Sequence, residues 1–432
     1  MGALNGEDEV VELCGDLIRI DTTNAGDNAG PGERRAAEYV AEKLAEVGLT
    51  PRILESDRGR ANVVARIAGE DQGRDALLLH GHLDVVPFNP GDWRHHPLSG
   101  EIADGCVWGR GAVDMKDMDA MILAVVRQRL SQGRRPARDV VLMFTADEEA
   151  GGSYGAQWLV DKHAELFEGC TEAIGEVGGF SVTVGERQRI YLIEAAEKGI
   201  AWMKLTATGR AGHGSMLNSE NAVTELAEAI GRLGRYEWPV RLTPTVRAFF
   251  REAFDIEIRA EDAEQAVAKL GPLARMIGAT LRNTANPTML DAGYKANVIP
   301  QTATAHVDGR FLPGFEEEFY ATIDELLGPN ITREHVYADI AVETAFEGRL
   351  VTAMTDALLA EDPGAKAVPY TMSGGTDLKA FSRLGVRGFG FAPLRLPPEL
   401  DFSGMFHGID ERVPVDSLRF GVRVLDRFLD YC

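Results

Sequence analysis

The runs DALLLHGHLDVVP (residues 75–87) and DVVLMFT (139–145) are apolar at nearly every position and then stop at ionisable residues. A strand with one wet face alternates apolar and polar residues, so a continuous apolar run is a strand buried on both faces. Such strands sit inside a sheet that is covered by helices on each side, and the neighbouring sequence supplies them. ERRAAEYVAEKLAEVG (33–48), MDAMILAVVRQRLSQG (118–133) and YGAQWLVDKHAELF (154–167) carry apolar residues at helical spacing, and the first closes on Gly48, the expected C′ cap. ANVVARIAG (61–69) predicts another strand. Alternating strands and helices imply α/β layers around a largely parallel sheet.

After about residue 197 the texture changes. GIAWMKLTATG (199–209) alternates, as a half-solvated antiparallel strand does. It is followed by the amphipathic helix ENAVTELAEAIGRLG (220–234), a strand at ATAHVDGRF, a helix at EEEFYATIDELLG (316–328) and a strand at HVYADIAVETA (335–345). This pattern predicts a smaller α+β domain. From about 346 the first texture returns, with a helix near 349–360 and short strands near 386–391. The expected organisation is a catalytic domain in two parts, 1–197 and 346–432, interrupted by a domain over 198–345. A chain of 432 residues is too long for one ordinary core, which fits two domains.

Charge narrows the partners. A formal net charge of −22 disfavours nucleic acid, which needs a basic face, and disfavours docking on anionic lipid. No apolar run reaches the length of a membrane span, and the N-terminus MGALNGEDEVVEL lacks an apolar signal core. Gly6 stands where a myristoylation signal requires Ser or Thr. Cys14, Cys106, Cys170 and Cys432 are widely scattered, which reads as reduced thiols in the cytoplasm.

Five short stretches gather ionisable residues where strands should end: HGHLD (80–84), GRGAVDMKD (109–117), ADEE (146–149), GEVGG (175–179) and FHGIDE (406–411). That edge of an open α/β sheet is where sites form. Together they offer His82, Asp84, Asp114, Glu148, Glu149, Glu176 and His407. A bare cluster of carboxylates resists simultaneous ionisation, and a divalent metal removes that difficulty. Two imidazoles with carboxylates suit zinc, with cobalt or manganese as alternatives. Singly, each residue has an ordinary structural role: a strand-end histidine is usually a hydrogen-bonded core group, and an acidic pair before a glycine turn usually caps or solvates a loop.

The motifs HGHLDVVP, WGRGAVDMKDM, TADEEAGG, GEVGG and MFHGIDERV resemble, in order and spacing, those of the M20 metallopeptidase and amidohydrolase family. The resemblance covers nearly the whole chain. It implies an α/β catalytic domain with a zinc-peptidase-like sheet, interrupted by a ferredoxin-like lid. It also implies two zinc ions, one held by His82, Asp114 and Glu176 and one by Asp114, Glu149 and His407, with Asp114 bridging. Asp84 matches the acid that would sit on the far ring nitrogen of His82 and fix its tautomer. Glu148 matches the general base, which takes a proton from water as it attacks an amide carbonyl and returns one to the leaving amine. The implied substrate is a small molecule, an N-acyl amino acid or a short peptide. A homodimer is implied by the resemblance alone.

In the inserted domain, GRAGHGS (209–215) resembles the lid motif whose histidine, here His213, helps hold the scissile carbonyl, in dimeric relatives across from the neighbouring subunit. ANVIP (296–300) makes Asn297 a substrate contact, and HVDGR makes Arg310 the grip on the substrate carboxylate. SGGTD (373–377) places Gly375 and Thr376 beside the pocket. Asn297, Arg310, Gly375 and Thr376 could each equally be a turn or surface residue. Two features depart from the family pattern. GSMLNSENA after His213 lacks the proline that many members carry, and residues 239 to about 290 exceed a compact lid, with WPVRLTPTVRAFFREAF (238–254) and AEQAVAKLGPLARMIGATL (263–281) reading as extra helices. Those helices would enlarge the acyl pocket or pack at a dimer interface.

TADEEAGGSYG (145–155) also contains G-x-S-x-G, the nucleophile elbow of a serine hydrolase, and Ser153, Asp377 and His407 follow the required order. Against that rival, ADEEA separates the strand from the turn, and the other acids and His82 stay unexplained. On the metal reading the glycines only let the chain turn beside a crowded site, and Ser153 caps the next helix. His80 lies on the same strand face as His82 but is left out of the site. A metal-dead binding module is a further alternative, and it would require a missing ligand or base.

Overall fold

The computed structural model describes residues 2–26, 28–185, 188–271 and 273–432. The chain divides into two compact units, one formed by residues 1–195, 344–369 and 376–432 and the other by 196–343 and 370–375.

The larger unit is built on a mixed sheet. Its strands lie in the order Arg52–Asp57, Arg60–Ile67, Val140–Thr145, Ala76–His82, Cys170–Gly175, Arg387–Gly390 and Gln188–Glu197, with Phe180–Val184 and Lys366–Met372 also paired to the last. The centre is parallel: Ala76–His82 runs with both Val140–Thr145 and Cys170–Gly175, and Arg387–Gly390 continues the set. The flanks are antiparallel. The two apolar runs are the two central strands, and every residue of each is buried.

Alternate side chains serve opposite faces. Leu78, Val141 and Met143 join a core with Leu159, Phe167 and Phe381. Helices Gly6–Arg19, Lys116–Ser131, Arg349–Glu361 and Val415–Tyr431 pack against one another, and Lys116–Ser131 also lies against strand Ala76–His82. Gly81 permits that approach, since a Cβ there would meet the Asp119 carboxylate at 2.1 Å. The helix expected over 154–167 is interrupted. It runs from Ala156 to Lys162, leaves helical geometry at His163 (φ −139°, ψ 34°) and resumes as a single tight turn over Ala164–Phe167. The Trp158 and His163 rings meet edge to face at 4.6 Å at that break.

The smaller unit holds a four-stranded antiparallel sheet in the order Thr284–Ala292, Thr302–Phe311, Gly199–Thr208 and Ile331–Asp339. Alternation works as read: Met203, Leu205 and Ala207 face a core completed by Leu226 and Leu233 of helix Ala222–Arg235 and by Phe319 and Ile323 of helix Glu316–Leu327. The last strand starts earlier than expected, at Ile331, and stops at Asp339. The stretches read as extra helices are helical, over Pro244–Phe254, Ala260–Ala268 and Leu273–Ala279, and Thr284–Ala292 beyond them is the edge strand of the sheet. Among the described residues, no helix is long and apolar enough to cross a membrane.

Candidate metal centre

Parallel strands bring their C-terminal ends to one edge, and three of the site's segments start there. His82 pairs with Thr145 in register, and the Leu83 N–H donates to the Thr145 carbonyl at 2.8 Å, so the HGHLD and ADEE segments leave the sheet together. Cys170–Gly175 runs beside them and delivers Glu176. A small three-stranded sheet brings in the rest. Within it Arg412–Pro414 pairs with Cys106–Trp108, which draws the loop carrying His407 to the loop carrying Asp114.

The side chains then meet. His82 Nε2 lies 3.1 Å from Asp114 Oδ1 and 3.4 Å from Glu176 Oε2. His407 Nε2 lies 3.2 Å from Asp114 Oδ2 and 3.0 Å from Glu149 Oε2. Asp114 thus turns one oxygen to each histidine. The donor atoms of His82, Asp114 and Glu176 fall within 4.8 Å of one another, and so do those of Asp114, Glu149 and His407. Glu148 Oε2 is 3.9 Å from His82 Nε2.

Without cations this crowd is electrostatically frustrated. Burial and the Asp114 charge push Glu149 up to about 7, and burial pushes Glu176 up to about 8 despite the attraction of His82. Burial, reinforced by Glu176, holds Glu148 well above the usual carboxylate range. Burial opposes a charge on His82, yet Glu176, Asp114 and Asp84 raise it well above an ordinary imidazole. Hydrogen bonds to Asp114 and Glu149 push His407 up to about 10. Burial works against Asp114 too, but bonds from both histidines keep it below its ordinary value. Among the described residues, Glu149 Oε1 and Glu176 Oε1 are buried without a hydrogen-bond partner. Orphaned carboxylate oxygens beside paired imidazoles form a donor set that two divalent cations would satisfy. The residues therefore fit a dinuclear metal group.

Around this set the chain is tightly held. The far ring nitrogen of His82 meets the backbone carbonyl of Asp84 at 3.0 Å, whereas the Asp84 carboxylate stands 3.5 Å away. That carboxylate also accepts the N–H groups of Glu148 at 3.0 Å and Glu149 at 3.1 Å, since both point at it from the start of their turn. Asp147 (φ +67°), Val177 (φ +54°) and His407 (φ +56°) adopt left-handed backbone beside or at the donor residues. For a β-branched residue such as Val177 this geometry persists only where surroundings impose it.

The family model for "Peptidase family M20/M25/M40" matches residues 78–431. The chain belongs to that family. Its curated relatives include "Probable carboxypeptidase S-like 2" of Dictyostelium discoideum, 29% identical over 379 residues that cover 81% of this chain and 70% of the relative. They also include "N-fatty-acyl-amino acid synthase/hydrolase PM20D1" of Xenopus tropicalis, 28% identical over 96% of this chain and 84% of the relative. Among solved structures, the M20 family metallo-carboxypeptidase Sso-CP2 from Sulfolobus solfataricus shares the fold with a TM-score of 0.75 at 19% identity, over 98% of this chain and 99% of that one. Membership makes the chain a metallohydrolase of the M20 type and implies a dinuclear metal site.

Not every residue read from the M20 motifs joins this cluster. His213, Asn297 and Arg310 belong to the smaller unit. His213 and Asn297 share a hairpin, in which His213 pairs with Val298 and the Gly214 N–H donates to the Asn297 carbonyl at 2.9 Å. Both are exposed. Arg310 is occupied by its neighbour Asp308 at 2.7 Å and lies over the Trp202 ring. Gly375 and Thr376 fall on either side of the division between units. The Thr376 hydroxyl accepts the Leu378 N–H at 3.1 Å, so it closes a tight turn just before helix Leu378–Ser382.

The serine triad of the rival reading does not assemble. Ser153 is exposed, and the following helix, Ala156–Lys162, has Gly155 at its N-cap and no side-chain cap, so Ser153 does not cap it either. Asp377 is taken by the Thr145 hydroxyl at 2.7 Å and His80 Nε2 at 3.2 Å. That same pair accounts for His80, which joins neither donor set.

Two supporting residues escape a sequence reading. Glu411 is fully buried, pairs with Arg110 at 2.7 Å and accepts the N–H groups of Val113 at 2.7 Å and Asp114 at 3.1 Å. Its only signal is its place in FHGIDE. Asn24 is the other, and nothing in its surroundings in the sequence marks it.

Proposed function

We propose that this M20 enzyme hydrolyses the amide bond of N-acyl amino acids or short peptides, with His82, Asp114 and Glu176 holding one divalent cation and Asp114, Glu149 and His407 a second. The observation that carries this is the split carboxylate of Asp114, with one oxygen 3.1 Å from His82 and the other 3.2 Å from His407. When bound, the two cations supply water activation and polarisation of the scissile carbonyl. Zinc suits the donors best, and cobalt or manganese are workable substitutes.

The chain's own groups then handle the proton. Glu148, half-buried and kept reluctant to ionise, accepts the proton from the attacking water and returns it to the leaving amine. Asp84 holds the Glu148 backbone in place by the bond already described. His213 and Asn297 contact the acyl carbonyl and the substrate, and Arg310 receives the substrate carboxylate in exchange for Asp308; Gly375 and Thr376 shape the pocket. The motif resemblance supports these five assignments. The names of the two curated relatives, a carboxypeptidase-like protein and a fatty-acyl-amino acid hydrolase, favour a substrate with a free carboxylate. A homodimer is supported by the resemblance and by Met289 and Leu290, exposed on the edge strand of the smaller unit. The four free cysteines suit the cytoplasm.

The test is amine release from a panel of N-acyl amino acids and dipeptides, with metal-loaded and chelator-stripped protein. Metal-dependent release from a subset is expected and identifies both halves of the substrate. Release that survives complete metal removal would overturn the proposal.

A further inference from the structure

The segment 22–26 contributes nothing to the chemistry above, yet it is stitched along the strand end that carries Asp84. The Thr22 hydroxyl donates to the Leu83 carbonyl at 2.7 Å, the Val85 N–H to the Thr22 carbonyl at 3.2 Å, and the Asn24 N–H to the Val85 carbonyl at 2.9 Å. This fixes the Asn24 side chain, which is buried.

Its amide is fully used. Nδ2 donates to Asp84 Oδ2 at 2.8 Å and to Asp147 Oδ1 at 3.0 Å. Oδ1 accepts from Arg60 Nη2 at 3.0 Å and from the Gly26 N–H at 3.1 Å. Two donors and two lone pairs are the whole capacity of the group. A reversed amide would aim its oxygen at two carboxylates and its NH₂ at a guanidinium, so the partners fix its orientation. Arg60 is itself anchored by Glu33.

The two carboxylates it bridges are the two supports of one turn. Asp84 accepts the N–H groups of Glu148 and Glu149. Asp147 opens the turn in left-handed geometry, and its other oxygen accepts the Tyr154 N–H at 3.0 Å. Without the shared donor, these buried acids would repel each other with only the Arg60 guanidinium, 4.0 Å from Asp147, to offset it.

We propose that Asn24 is a positioning residue that sets the Glu148–Glu149 turn, and through it the cation site of Asp114, Glu149 and His407. The inference rests on the dinuclear reading given above. It predicts an asymmetry. Glu176 comes from a different strand, and His82 is fixed through the Asp84 carbonyl, which the main chain holds. The site of His82, Asp114 and Glu176 therefore depends less on the amide.

The experiment titrates metal-free full-length protein with Co²⁺, followed by calorimetry and by the visible spectrum of the bound ion. Wild type, Asn24→Leu, Asn24→Asp and Glu149→Ala are compared. Asn24→Leu removes the amide while keeping the branched skeleton, and Asn24→Asp adds a third carboxylate. One of the two affinities should fall about tenfold or more in Asn24→Leu, and further in Asn24→Asp, which is the range for losing a group that orients a ligand. The site that survives should have the spectrum of the single site left in Glu149→Ala. Should the leucine variant fail to fold, Asn24→Ser carries the test, because it can still close the turn to Gly26 but reaches neither carboxylate. Equal weakening of both sites, or unchanged affinities with only a lower melting temperature, would overturn the proposal and leave Asn24 a purely structural residue. Two ions bound by wild type with no turnover of any panel substrate would refute the substrate reading but not this one. A wild type that binds fewer than two ions would refute both.

Discussion

The carboxylate of Asp84 accepts the backbone N–H of Glu149 at 3.1 Å, and its other oxygen accepts that of Glu148 at 3.0 Å. An acid two residues after a candidate ligand histidine invites the view that it orients the ring. Here the main-chain carbonyl at 3.0 Å and the carboxylate at 3.5 Å both face the ring, and the carboxylate also holds the turn that presents the proton carrier and a donor of the other cation set. Asp84→Asn tests the distinction. The amide keeps one acceptor but turns an N–H toward a backbone N–H that needs an acceptor. Glu149-dependent metal binding should weaken about 10–100-fold, while the His82 set changes little. Metal stoichiometry and affinity by calorimetry decide it. Loss confined to the His82 set would show that its role is to orient the ring.

Neighbouring Glu148 and Glu149 divide the labour, and their single variants should separate cleanly. Glu148→Ala should bind two ions yet lose about 10²–10⁴-fold in kcat, the usual contribution of a general acid–base group. Glu149→Ala should bind one ion, because its carboxylate meets His407 at 3.0 Å in the second donor set. The readout is metal content by elemental analysis beside kcat and KM. Wild-type turnover in Glu148→Ala would remove the proton-carrier assignment.

Glu411 ties two loops that lie almost three hundred positions apart in the chain, and its variants should show it. Its carboxylate is buried against Arg110 and two backbone N–H groups. Removing one member of a buried, hydrogen-bonded ion pair costs about 3–5 kcal/mol. Glu411→Ala should lower the stability of the metal-free protein by that order, and Glu411→Gln by less, since it keeps one acceptor. Urea denaturation of the metal-free proteins measures this without interference from ligand binding. A Glu411→Ala variant as stable as wild type would show that Asp114 is held by other contacts.

What the sequence discloses follows from which interactions are local. Ala76–His82 and Val140–Thr145 are legible because burial on both faces leaves no room for polar residues. The donor residues are legible because strand ends must deliver them in short, fixed motifs. Thr284–Ala292 is hidden for the opposite reason: an edge strand with most of its side chains exposed carries little pattern, and Pro287 within it reads as a breaker. Proline is tolerated there because an edge strand, here with a register shift after Pro287, has spare backbone positions. Asn24 and Glu411 are hidden because their partners lie tens to hundreds of residues away. The part of the Asp84 carbonyl in holding the far nitrogen of His82 is hidden because a sequence marks the carboxylate of a residue and not its main chain.

Lys198 gives the smaller unit a pH dependence of its own. It is 1% exposed, and its ammonium donates to the Ala279 carbonyl at 2.8 Å. Burial lowers its pKa from 10.5 to about 7, with Arg310 adding repulsion and Asp308 opposing it. In the unfolded chain the amine keeps its ordinary value. Between about 7 and 10.5 the unfolded state therefore binds more protons than the folded state, and folding becomes more favourable as pH rises through that window. Below about 7 both states are protonated and the penalty of the buried charge is constant. Lys198→Met fills the same space without a charge and should be more stable than wild type near neutral pH. Its advantage should shrink as pH rises toward 10.5. Cysteines and tyrosines titrate in the same range, so the informative quantity is the difference in melting temperature between the two proteins at each pH. A difference that stays constant across the window would mean that Lys198 keeps an ordinary pKa when folded.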